Sequence, residues 1–211
     1  VGVTFDRRSI GGGFVGERPR LQTVAPLLRD RRFWAIVLLF SIAASSTIGV
    51  YAILPTFLIQ VEGYAAGAMN TLLSASRVSG IFVVLASGFL VHRLGVRRLI
   101  AVVLLLTGAL TVAIGVLTAT PMLVVVFLQP VIITAFFPAA ISAMADIGPP
   151  HVRNVAVSFI IPIVNLVSNG IFPSVMGTLT EMGAVRAGFV GLGVFMFVGI
   201  AAVPFLVSKR G

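Results

Sequence analysis

A single arginine, Arg77, stands inside an otherwise apolar run at residues 66–91. Asn70, Ser74 and Arg77 fall on one helical face at i, i+4 and i+7, with Ser76 and Ser79 beside them. An arginine stays protonated in any protein setting. At the centre of a membrane helix it costs roughly 2.5–3.5 kcal/mol on insertion scales. A polar stripe around a fixed cation suits a small anion gripped by the planar guanidinium fork. Two structural readings stand beside it. Arg77 pairs with an acid from outside this chain, or it lies nearer the interface and snorkels.

A second stripe runs through Ser158, Pro162, Asn165, Asn169 and Pro173, again at helical spacing. Its amides can hydrogen-bond a substrate across a cavity from Arg77, or tie helices together at about 0.6 kcal/mol each. Tyr51 is a further candidate substrate contact, in a run that also carries Ser41, Ser45 and Thr56. Gln129, Thr134 and the Phe136–Phe137 pair mark another run, the aromatics reading as packing before gate. Glu62 and Tyr64 read as residues of the outer interfacial belt.

Enzyme chemistry finds little to work with. There are no cysteines, and the two histidines, His92 and His151, lie in polar turns. We therefore expect no metal centre, no cofactor and no catalytic residues, and the chain does not read as an enzyme. A membrane serine protease needs a histidine buried beside its serine. No titrating group sits within an apolar run: Asp146, Glu62 and Glu181 all stand at run ends. A proton or ion carrier must come from elsewhere, or the protein is an exchanger or facilitator.

The elements that must position these residues are six apolar runs. The chain of 211 residues is 58% hydrophobic and only 10% charged, against about 25% charged in soluble domains. A spanning helix needs about 20 apolar residues. Stretches near 33–59, 66–91, 99–119, 121–146, 154–180 and 186–207 qualify. The fold class is an all-α membrane protein with six transmembrane helices. Residues 1–32 form a cytoplasmic loop whose end, 21–32, reads as a short amphipathic helix on the headgroups. Residues 33–207 form the membrane domain, and 208–211 a cytoplasmic tail. Six prolines inside the runs (Pro55, Pro130, Pro138, Pro162, Pro173 and Pro204) predict bends.

The net charge of +9 follows the connections, not a nucleic-acid face. Thirteen Lys and Arg fall in alternate polar segments: seven in residues 7–32, then Arg93, Arg97 and Arg98, then Arg153, then Lys209 and Arg210. The intervening segments hold only Arg186. That asymmetry predicts a multi-pass protein of the cell (inner) membrane with both ends of the chain cytoplasmic, in contact with membrane lipids and not with nucleic acid. With Val1 first and a polar, basic opening, the chain reads as the later portion of a longer one.

Residues 88–97 and 177–186 align without gaps and share Gly, Leu, Val and Arg at four of ten positions. Each follows the second helix of a trio, on opposite membrane sides, as inverted three-helix repeats require. The first copy, GFLVHRLGVRR at 88–98, resembles the signature loop of the major facilitator superfamily, G-x-L-a-D-R-x-G-R-R/K. DIGPPHVRNVA at 146–156 resembles that family's later cytoplasmic loop, and LLRDRRFW at 27–34 is similar to its lead into helix seven. His92 stands where the motif has aspartate, and Asn154 where it has glycine.

The resemblance implies helices seven to twelve of a twelve-helix transporter, built as two inverted repeats. Its N-terminal six-helix half would be the principal partner. It implies a conformational loop of Gly88, His92, Arg93, Gly95, Arg97, Arg98, Asp146 and Arg153, with a charge latch weakened by His92 or shifted to Asp146. With an arginine in the second helix, the chain resembles the nitrate/nitrite, oxalate/formate and monocarboxylate porters. The expected function is alternating-access transport of a small organic or inorganic anion, as antiporter or symporter. Substrate-binding residues are then Arg77, Asn70, Ser74, Asn165, Asn169 and Tyr51. The alternatives are a same-fold exporter of neutral or cationic compounds with Arg77 structural, or a truncated half with no transport of its own.

Overall fold

Apolar residues in hydrocarbon must satisfy every backbone N–H and C=O within their own segment, which leaves the helix as the natural spanning form for such runs. The computed structural model describes residues 27–145, 147 and 150–206. It has five helices long and apolar enough to cross a membrane: α1 (Arg31–Val61), α2 (Ala66–Leu94), α3 (Val96–Val116), α4 (Ala119–Ala145) and α5 (Val152–Glu181). A shorter apolar helix, α6 (Val185–Ile200), follows, and a 3-10 turn at Val203–Leu206 ends the described chain. The expected loop at 1–26, residue Asp146 and the tail at 208–211 lie outside the described residues.

Helix ends follow local chemistry. The Asp30 carboxylate caps α1 by accepting from the Arg32 N–H at 2.8 Å, which satisfies one of the donors a helix start leaves open. The third run stops at Val116, short of the expected 119, because Leu117 turns extended (ψ 160°) and Ala119 carries φ 55°. The sixth stops at Ile200, short of the expected 207. Pro204 has no N–H to return to the Ile200 carbonyl, and the chain tightens into the 3-10 turn.

Irregular turns interrupt three of the proline-bearing helices. α1 carries π-helical turns at Ser45–Gly49 and Phe57–Val61, the second just beyond Pro55. α5 carries one at Leu166–Ile171, four residues past Pro162. α4 breaks at Thr134–Ala135, where Pro138 cannot bond the Thr134 carbonyl. The first π-turn of α1 meets α5 just after its own π-turn: a Cβ on Gly49 would overlap the ring of Phe172.

α1–α3 and α4–α6 form two trios. α2 packs on α4 as α5 packs on α1, and α3 packs on α6, so exchanging the trios maps the contacts onto themselves. Arg97 and Arg186, paired in the sequence echo, are each the second residue of the third helix of their trio. Two apolar clusters fill the bundle, one around Phe33, Leu39, Ile100, Leu104 and Phe136, the other around Leu54, Phe57, Ile114 and Phe189. A polar layer separates them in the order of residues along α1, α3 and α4. The fully buried Gln129 donates from Nε2 to Ser46 Oγ at 2.7 Å and Thr111 Oγ1 at 3.3 Å.

Lipid supplies no hydrophobic drive between helices, so close backbone packing carries the association. The α3–α6 seam is built on it. A Cβ at Gly193 would stand 2.7 Å from the Gly108 carbonyl oxygen and 2.8 Å from the Val112 nitrogen. A Cβ at Gly115 would stand 2.6 Å from the Arg186 carbonyl oxygen. Gly193→Val must therefore push the backbones of α3 and α6 apart. We expect a loss of about 3 kcal/mol, the upper end for an overpacked core, measured as a lowered midpoint in thermal unfolding.

Candidate functional site

A cavity of about 470 Å³ opens between α1, α2 and α4. Thr47 and Tyr51 come from α1, Arg77 from α2, and Pro130 and Thr134 from α4. Each is there for a local reason. Eleven residues past Ala66 put Arg77 about 16 Å along α2. The narrow inward stripe of α2, Met69, Leu73, Ser76 and Gly80, is its buried face, and Arg77 adjoins that stripe. Gly80 lets α4 close in, since a Cβ there would stand 3.2 Å from Thr134 Cγ2.

Tyr51 supports the guanidinium. Arg77 Cζ lies 4.2 Å from the centroid of the Tyr51 ring, a cation–π contact of order 0.5–2 kcal/mol. The Tyr51 hydroxyl sits 2.9 Å from Ser76 Oγ, and Ser76 donates its own proton to the Leu73 carbonyl at 2.8 Å. Tyr51 is then the donor of that pair. Its ring is fixed between the two helices, and the arginine rests on a held surface.

The remaining polar groups of the cavity have their protons committed. Thr47 donates to the Ala43 carbonyl at 2.9 Å and Thr134 to the Val131 carbonyl at 2.7 Å. No carboxylate among the described residues pairs with Arg77. What the cavity offers an incoming ligand is thus the fan of guanidinium N–H donors with a full positive charge.

A second, apolar cavity of about 510 Å³ adjoins the first at Ile48 and runs between α1, α4 and α5. Phe40, Phe137, Ile141 and Val164 wall it, with Arg153 and Asn165 its only strongly polar contributors. Phe136 packs edge-on against Phe40 and Phe137.

The candidate residues fall in different places. Arg77 and Tyr51 meet in one cavity; Asn70 and Ser74 do not line it. Asn70 shares the azimuth of Arg77 to about 20° but stands about 10 Å further out along α2. Asn165 borders the apolar cavity and not the Arg77 cavity, and Asn169 lines neither. Asn169 Nδ2 donates to Asn165 Oδ1 at 3.1 Å, so these amides bond each other one turn apart. Gln129 belongs to the buried polar layer.

In the basic turn, His92 and Arg93 close α2, and the Arg93 guanidinium lies 4.5 Å from the Phe89 centroid. Gly95, at φ 76°, makes the turn that a side chain would resist. Gly88 meets nothing: its Cβ position is open and no described helix of this chain approaches it. Arg97 and Arg98 open α3, where the helix dipole disfavours cations. Asp146, their expected counter-charge, lies outside the described residues. Arg153 lines the apolar cavity.

Thr47 was missed; its signal is its place four residues before Tyr51 on one helical face. So was the pairing of Glu62, expected as a belt residue. Its carboxylate, 11% exposed, accepts from Arg186 Nη2 at 2.5 Å. Arg186 also donates to the Leu117 carbonyl at 3.0 Å.

The Tyr51 support makes a test of its own. Tyr51→Leu removes the ring beneath Arg77 and should weaken a ligand held there about fivefold, the worth of about 1 kcal/mol. Tyr51→Phe keeps the ring and should lose less. Equal losses, by isothermal titration or uptake, would instead assign the effect to the Ser76 bond.

Residues 5–160 match the family model described as the Major Facilitator Superfamily. Among solved structures, a bacterial homologue of the human lysosomal transporter Spinster, inward-facing and unoccupied, aligns with a TM-score of 0.65 at 17% identity. The alignment covers 97% of this chain and 52% of that one, so the chain spans about half the length of that structure. No curated protein matches the chain.

Proposed function

The chain belongs to the Major Facilitator Superfamily, a family of multi-pass membrane transporters, and from that premise we propose that it is the second six-helix half of a secondary transporter for a small organic or inorganic anion. The observation that carries the anion is the Arg77 cavity. It holds one guanidinium with no carboxylate partner among the described residues, beside threonines whose protons are already engaged. A ligand rich in acceptors and negative charge completes it; a cation or a donor-rich neutral compound does not. Alternating access then rocks this half against an N-terminal six-helix half across the face where α1, α2, α4 and α5 present their cavities. The thirteen-to-one distribution of basic residues supports both ends of the chain lying in the cytoplasm, in the cell membrane.

A second reading rests on the apolar cavity beside Ile48. Its walls favour an exporter of larger apolar compounds, with Arg77 held by Tyr51 for structural reasons. Thermal stabilisation of the purified transporter by a panel of small anions and apolar neutral and cationic compounds separates the two. A ligand at 100 times its dissociation constant adds about 2.7 kcal/mol to the folded state. Stabilisation by one anion class supports the first reading; stabilisation by apolar compounds alone overturns it.

A further inference from the structure

At the start of α1 a separate cleft of about 290 Å³ lies between that helix and the segment at Ala202 and Phe205. Arg29 and Arg31 border it with Trp34, Leu38 and Phe205. It is a fixed feature. Leu27 is buried in the core, the Trp34 indole N–H donates to the Leu28 carbonyl at 2.7 Å, and Asp30 caps α1. These contacts fold the residues before α1 back over its first turn, setting Arg29 and Arg31 on either side of the cap. The Asp30 carboxylate is bonded to the Arg32 N–H, and no acid among the described residues pairs with Arg29 or Arg31.

The rest of the cleft is apolar and, among the described residues, open. Trp34 is 49% exposed and Phe205 48%. Two cations and two exposed aromatics around one cleft, at the start of a helix long and apolar enough to span, match one amphipathic shape. We propose that this cleft binds a single anionic phospholipid of the leaflet it faces. The phosphate bridges the Arg29 and Arg31 guanidiniums, and the glycerol and upper acyl chains cover Trp34, Leu38 and Phe205. Charge selects the headgroup, while the aromatic walls, of the kind found at membrane–water interfaces, distinguish a lipid from a free phosphate ion. This site stands apart from the Arg77 cavity and does not depend on the anion reading.

The test is native mass spectrometry of the intact protein in a non-ionic detergent, titrated with phosphatidylglycerol, phosphatidylcholine or sn-glycerol 3-phosphate. The wild type should take one phosphatidylglycerol at least tenfold more tightly than phosphatidylcholine, with glycerol phosphate unable to displace it. Arg29→Gln with Arg31→Gln should weaken that first adduct about 30-fold, about fivefold for each cation near the surface. Phe205→Ala keeps both charges and should still weaken it severalfold. An unchanged first adduct in the double variant, or equal binding of the two lipids, overturns the site. Displacement by glycerol phosphate overturns the lipid in favour of a phosphate ion.

Discussion

Arg77→Gln is expected to abolish ligand-dependent stabilisation while leaving the unliganded protein as stable as the wild type, or more so. The two effects come from different terms. Glutamine still donates hydrogen bonds but has neither the charge nor the fork, and charge-assisted bonds are worth about 1.5–3 kcal/mol each. Losing a two-point grip therefore costs at least about 100-fold in affinity. The free protein, by contrast, is relieved of a cation that costs roughly 2.5–3.5 kcal/mol to place in a bilayer. Among the described residues, what it gives up is the contact with Tyr51. Arg77→Lys should also bind poorly, since a point charge does not replace a planar donor set. Thermal shifts with and without the stabilising anion read both quantities in one experiment. A variant that loses stability without ligand, yet keeps its ligand shift, would show Arg77 to be a structural cation.

A large effect on stability is also expected from Arg186→Gln. Arg186 joins three places: the turn after α1 through Glu62, the end of α3 through the Leu117 carbonyl, and the start of α6 on which it sits. Removing one member of a fully buried pair costs about 3–5 kcal/mol, because the other charge is stranded. Here Glu62 is nearly buried but Arg186 is one-third exposed, and water screens some of the loss, so about 2–3 kcal/mol is expected. Glu62→Gln should cost less. The amide oxygen still accepts from Nη2, and the Leu117 bond remains. A double-mutant cycle on thermal or denaturant unfolding should show a coupling of about 1–2 kcal/mol. Strict additivity would mean that the pair does not act as one fastening.

Much of this was legible in the sequence, and the reasons are specific. The six helices could be read because hydrocarbon demands long apolar runs with internal bonding, and little else satisfies that demand. Their ends moved where a single residue decided them, as at Ala119 and Pro204. Arg77 stood out because a charge in an apolar run is costly and visible. Its neighbours did not, because spacing along α2 gives a direction but not which helix that direction meets. Asn70 points the same way as Arg77 and meets nothing of the cavity, two turns away. Asn165 and Asn169 read as a stripe, but their short side chains bond each other. The Glu62–Arg186 pair spans 124 residues, and nothing local in either segment announces the other. The sequence echo nonetheless marked Arg186, since it placed that arginine opposite Arg97 at the head of a helix.

The glycine seam between α3 and α6 also bears on how the bundle is made. Its two sides, Gly108 and Gly193, are separated in the chain by the whole of α4 and α5 and their turns. Chains are synthesised from the N-terminus and structure accumulates in that order. The closest backbone approach of the seam must therefore wait until α6 has left the ribosome. Until then α3 carries an unfilled groove, exposed to lipid or to whichever insertion factor shields it. A nascent chain stalled before α6 would hold α1–α5 without their clasp. Quality control acting on such an intermediate would meet the open glycine face of α3, a different signal from the charge at Arg77.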